Sequence, residues 1–130
     1  MRATYVDSSA LVKLVVVEAE TGALRKFLAT SDQMTSSLVT RVELSRAVAR
    51  RLPDAMAAAQ AVLDSLVIVG LDSRIATRAA GLAPASIRSL DAIHLATALE
   101  LGADLTAFVC YDDRLSAAAA ALGLQVKSPR

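Results

Sequence analysis

The chain has 130 residues, 55% hydrophobic and only 3% aromatic, with 14 basic and 13 acidic residues for a net charge of +1. That much apolar content at so small a net charge excludes intrinsic disorder. The charge balance excludes a polycation that grips nucleic acid by bulk charge, and a lone cysteine, Cys110, excludes a disulfide framework or a cysteine-rich zinc site.

With so few aromatics the core must be built from Ala, Leu and Val, and the first and second of these favour helix. A short apolar strand is predicted at residues 3–6, followed by helical patterns over 8–17 and 19–29. A weak strand at 33–35 precedes a helix over 38–52. Pro53 ends that helix and sits near the start of the next, over 54–65. A third strand is predicted at 66–69 and a helix at 73–80, stopped by Gly81. The helix over 89–101 stops at Gly102, and a fourth strand follows at 107–110. The alanine-rich run inside 114–122 reads as a helix that lies close to a sheet, stopped by Gly123, and a last strand falls at 124–127. Short apolar strands alternating with helices predict an α/β fold, one domain over residues 1–130, with a mostly parallel sheet covered on both faces.

The longest stretch without an ionisable residue, 115–126, has 12 residues, against about 20 needed to span a bilayer. Asp7, Lys13 and Glu18 interrupt any signal-peptide core. A cytoplasmic chain without a membrane anchor is expected.

In open α/β sheets ligands bind beyond the carboxyl ends of the strands. Asp7 follows the first strand and Asp112 the fourth, while Glu43 and Asp91 sit on helices with partly apolar faces. Each has a plainer reading. Asp7 and Asp112 suit helix N-caps. Asp91 suits the first turn of a helix, and Glu43 has Arg46 and Arg50 at helical spacing. Together, four converging carboxylates would repel one another unless a hard divalent cation such as Mg²⁺ or Mn²⁺ joined them. One histidine, His94, is too little for a zinc site and reads as packing within its helix.

The strings VDSSAL at 6–11, VTRVEL at 39–44, LDAIHLATA at 90–98 and FVCYDDRL at 108–115 resemble, in order, the successive motifs of PIN-domain ribonucleases. They are most similar to the VapC-like toxins of bacterial toxin–antitoxin pairs. The resemblance implies a three-layer α/β/α sandwich and a Mg²⁺- or Mn²⁺-dependent endoribonuclease that cuts RNA, including structured RNA such as tRNA. It places the family acids on Asp7, Glu43, Asp91 and Asp112, as both catalytic and metal-holding residues. Asp113 is not clearly a family position, and Cys110 stands where the family often has Thr or Ser. Arg41, Arg46 and Arg50 are candidates to lead RNA to the site. The resemblance also implies a homodimer and a VapB-like antitoxin. Residues 11–17, LVKLVVV, carry more apolar side chains than a one-faced helix buries. They are either packed on two sides or, at Leu14, Val15 or Val17, part of an interface.

Three other functions compete. A phosphoacceptor receiver domain is a poor match, because Asp72 and Lys127 fall in the wrong places for its aspartate and lysine. An inactive PIN-like module that only binds RNA or protein would not need all four acids. A DNA nuclease would share the same phosphate chemistry, and no feature of the sequence shows how a 2′-hydroxyl would be read.

Overall fold

The structure, a computed structural model, describes residues 2–130. Strand β1 (Ala3–Val6) is buried along its whole length. It passes straight into α1 (Ser8–Val15), because Asp7 caps that helix by accepting from the Ala10 N–H at 3.2 Å. The helix stops at Val15, two residues short of the predicted end. The Thr21 hydroxyl donates to the Lys13 carbonyl at 2.7 Å and accepts from the Glu18 N–H at 2.9 Å. Those bonds satisfy groups at the helix end and turn the chain into α2 (Thr21–Leu28). Leu14 and Val15 pack on the core, while Val17 is 73% exposed.

Strand β2 (Met34–Ser37) runs further than the predicted 33–35, through buried Ser36 and Ser37. Ser37 then caps α3 (Leu38–Arg51), its Oγ accepting from the Val39 N–H. Pro53 begins a single 3₁₀ turn, and α4 (Met56–Asp64) follows it. After β3 (Val67–Val69), Asp72 caps α5 (Ser73–Ala80). Helix α6 (Ser89–Glu100) leads through a 3₁₀ turn to β4 (Leu105–Val109), and Asp112 caps α7 (Asp113–Ala121) before β5 (Val126–Lys127). Gly102 and Gly123 take positive φ of 55° and 84° just past α6 and α7, a conformation that lacks a Cβ penalty only for glycine.

The five strands pair in the order β3-β2-β1-β4-β5, and every pairing is parallel. Alternation along the strands divides the core into two layers. Val6 and Val109 face one side, with Leu11, Leu24, Leu44 and Leu63 from α1–α4. Tyr5 and Phe108 face the other, with Leu95 of α6 and Leu115 and Ala119 of α7. A third cluster, built on Ile75, Ala79, Ala92 and Ala96, joins α5 to α6. The result is the three-layer α/β/α sandwich expected from the sequence. Among the described residues no helix is long and apolar enough to cross a membrane.

This topology fixes where a site belongs. The chain winds outward from β1 through β2 to β3, then returns to place β4 on the other side of β1. The order reverses between β1 and β4, and at such a switch point the loops leaving the strand ends part to leave a crevice.

Candidate active site

Asp7 leaves the carboxyl end of β1, and Asp112 lies three residues beyond the end of β4. Glu43 sits on the second turn of α3 and Asp91 in the first turn of α6. All four line one cavity of about 380 Å³, together with Arg88 and His94. Asp113 does not line it, nor do Arg41, Arg46 and Arg50, which are exposed on α3. The capping roles of Asp7 and Asp112 coexist with this placement: Asp112 Oδ1 accepts from the Leu115 N–H at 2.8 Å while the residue still borders the cavity.

Asp7 forms the floor and is 3% exposed. Its Oδ1 accepts from the Ser9 hydroxyl at 2.7 Å and the Ala10 N–H. Among the described residues its Oδ2 accepts only from the Cys110 thiol, at 3.6 Å, and a thiol is a weak donor. Burial pushes the Asp7 carboxyl above its usual value. The hydrogen bonds from Ser9, Ala10 and Cys110 pull the other way. Burial, reinforced by the Asp7 carboxylate, likewise pushes the Cys110 thiol up to about 12, so this cysteine stays protonated at neutral pH. Cys110 therefore supports the floor carboxylate, and it reaches Asp112 only at its backbone carbonyl, at 3.5 Å.

The rim holds a counter-charge that sequence reading missed. Arg88 Nε donates to Asp91 Oδ2 at 3.1 Å, and Arg88 Nη2 lies 3.7 Å from Asp112 Oδ2. Its spacing of three residues before Asp91 was the available signal. Glu43 pairs with neither Arg46 nor Arg50. Its Oε1 lies 2.6 Å from Nε2 of buried His94, a contact across 51 residues with no local trace in the sequence.

Among the described residues no group of three or more His, Cys, Asp or Glu is drawn close enough to enclose a metal ion unaided. The donors are nonetheless all carboxylate oxygens. One of them, Asp7 Oδ2, is buried with a weak partner, and a cationic guanidinium spans two others. A set that surrounds a cavity, rather than a single point, fits a hard cation that completes its shell with water and substrate phosphate.

The PIN domain family model matches residues 4–121. Ribonuclease VapC46 of Mycobacterium tuberculosis is 45% identical over 129 residues, covering 99% of each chain. Ribonuclease VapC35 of the same species is also 45% identical, covering 96% of each. Among solved structures, a toxin–antitoxin complex from Klebsiella pneumoniae superposes with a TM-score of 0.76 at 20% identity, covering 98% of both chains. The sarcin–ricin-loop-cleaving toxin VapC20 of M. tuberculosis gives 0.72 at 18% identity, covering 88% of this chain and 94% of its own.

Proposed function

This chain belongs to the PIN domain family, and on that footing we propose that it is a VapC-type endoribonuclease, the toxin of a toxin–antitoxin pair, with Asp7, Glu43, Asp91 and Asp112 as its catalytic and metal-holding residues. Full-length similarity to two proteins named as VapC ribonucleases supports the activity. The observation that carries the site is the convergence of four carboxylates on one cavity at the switch point of the sheet.

PIN-domain ribonucleases as a family depend on a divalent metal, and for this chain we propose Mg²⁺ or Mn²⁺, held by Asp7, Asp91 and Asp112 with Glu43 directly or through water. The chemistry such a cation supplies is a lower pKa for water and neutralisation of charge on the phosphate. The chain's own residues do the rest. Ser9, Ala10 N–H and Cys110 hold the Asp7 carboxylate in one orientation. Asp112 and Asp91 are fixed at helix starts, where the macrodipole favours their charge. Arg88, the cation of the rim, presents a planar fork of donors suited to a phosphate. Its present hold on Asp91 and Asp112 balances their charge until such a partner arrives.

We further propose a VapB-like antitoxin as partner, a homodimer and a cytoplasmic location. The Klebsiella toxin–antitoxin complex supports the first, and exposed Val17 offers apolar surface for the second.

The test is RNA cleavage by single variants. Asp91→Asn and Asp112→Asn should each lower the rate by about 10²-fold or more, the usual loss when a preorganised charged group is removed. Asp113→Asn should change little, since that residue lies outside the cavity. Asp72→Asn should be silent in both activity and folding: Asp72 only caps α5, and Asn caps as well as Asp. Equal damage from Asp113→Asn would move the fourth acid and contradict this placement.

A further inference from the structure

We propose that His94 is a positioning residue for the reaction: held by the Tyr5 hydroxyl, it engages one oxygen of Glu43 and so leaves the other facing the cavity in a fixed orientation. This rests on the ribonuclease reading of the site. His94 and Tyr5 are both buried, at 1% and 0% exposure, while Glu43 reaches the cavity. His94 Nδ1 lies 2.6 Å from Tyr5 Oη, and His94 Nε2 lies 2.6 Å from Glu43 Oε1. A histidine that merely fills space has no need of partners at both ring nitrogens.

The neighbours set the direction of donation. Tyr5 Oη accepts from the Ser37 N–H at 3.2 Å. Glu43, as a carboxylate, can only accept, so the ring proton sits on His94 Nε2 and is donated to it. With that proton on Nε2, Nδ1 is left to accept, and the Tyr5 hydroxyl donates to it. The chain Ser37 N–H, Tyr5, His94, Glu43 links β2, β1, α6 and α3, and each link points toward the carboxylate. A glutamate on a helix surface otherwise samples several rotamers, and ordering it costs conformational entropy. Here the buried imidazole orders it in advance, as partners of metal-holding carboxylates do elsewhere.

Three variants separate positioning from packing. In His94→Gln the amide nitrogen reaches the place of Nε2 and keeps a donor for Glu43. In His94→Asn the amide reaches only the place of Nδ1, keeping Tyr5 and losing Glu43. Tyr5→Phe keeps the ring and removes the hydroxyl that orients the imidazole. The readouts are kcat and KM on an RNA substrate, Mn²⁺ affinity of the substrate-free protein by calorimetric titration, and circular dichroism for folding. His94→Asn should lose 10–100-fold in kcat or in Mn²⁺ affinity with KM for RNA nearly unchanged. His94→Gln should stay within a few-fold of the parent, and Tyr5→Phe should fall between them. In a Glu43→Gln background His94→Asn should cost nothing more, because the two residues act as one unit. Equal losses in His94→Gln and His94→Asn would overturn the proposal, as would an undiminished effect of His94→Asn in that background. Should His94→Asn fail to fold, Tyr5→Phe decides: unchanged kcat and Mn²⁺ affinity there overturn it. If Glu43→Gln alone leaves cleavage and Mn²⁺ binding intact, the site reading itself has failed, and the proposal with it.

Discussion

Asp7→Asn should abolish RNA cleavage and, in the same protein, raise the melting temperature of the metal-free chain at neutral pH. The carboxylate is almost fully buried, no cation lies within ion-pair distance of it among the described residues, and burial raises its pKa. A group whose pKa is higher in the folded state favours folding while it is protonated. That contribution is present below the unfolded value, about 3.9 for Asp, and is lost as pH rises through the folded value. At pH 7 the ionised Asp7 therefore costs stability. An asparagine keeps the cap on Ala10 and the Ser9 contact, and its amide nitrogen faces a thiol that accepts weakly. Relief of about 1 kcal/mol, a size common where an active-site strain is removed, would raise the melting temperature by roughly 3–5 °C. The gap between variant and parent should close as pH falls toward 4. Activity should drop by at least about 10²–10³-fold, below what an ordinary cleavage assay detects. Thermal melts in chelator across that pH range check the first half; a variant less stable than the parent at pH 7 would mean that Asp7 serves the fold before it serves the site.

Phe108→Ala should be the most destabilising single truncation in the sheet. Phe108 is fully buried in β4, one residue before its end, and stacks on Tyr5, with ring centroids 5.1 Å apart and planes 2° from parallel. The chain has only two phenylalanines and no tryptophan, and two of the buried residues in the same cluster, Ala98 and Ala119, are too small to replace the ring. Leu95 and Leu115 of that cluster are already fully buried in places of their own, so moving either into the void would open another. Burying nothing where a phenyl ring stood costs about 3–5 kcal/mol, a large part of the 5–15 kcal/mol typical of a whole domain. Phe108→Leu should cost under about 1.5 kcal/mol. Denaturant midpoints for the two variants measure the difference. Because Tyr5 carries the hydroxyl that meets His94, the alanine variant should also lose activity before it unfolds. A midpoint for Phe108→Ala close to that of Phe108→Leu would show that the layer repacks more freely than its small residues allow.

The alternation of strands and helices was legible because parallel strands covered on both faces are short apolar runs, as β1 and most of β4 are, and the edge strand β3 is apolar although partly exposed. The sequence shows only the first half of strand β2, since its second half is Ser36 and Ser37, polar residues buried with hydrogen bonds to Thr40 and, 32 positions away, to Tyr5. The sequence carries α1 too far because Val16 and Val17 continue the apolar run, whereas Thr21 ends the helix from six residues beyond it. The four carboxylates could be read from their positions after strands and in helices. Their surroundings could not. Arg88 lies within the sequence neighbourhood of Asp91, but its reach to Asp112 spans the gap between α6 and α7. The His94 bonds to Tyr5 and Glu43 join residues 89 and 51 positions apart. Such contacts belong to the folded arrangement and leave no periodicity behind.

On the function proposed above, these carboxylates hold a divalent cation with which the chain cuts RNA. The measurement that tests it most directly is cleavage of an RNA substrate by the purified chain, free of any antitoxin, with Mg²⁺ or Mn²⁺ titrated against excess chelator and with Asp7→Asn as the parallel sample. Cleavage by the parent should appear with either cation, vanish in chelator and return on readdition, while Asp7→Asn stays inactive throughout. Undiminished cleavage in excess chelator, or full activity of Asp7→Asn, would contradict it.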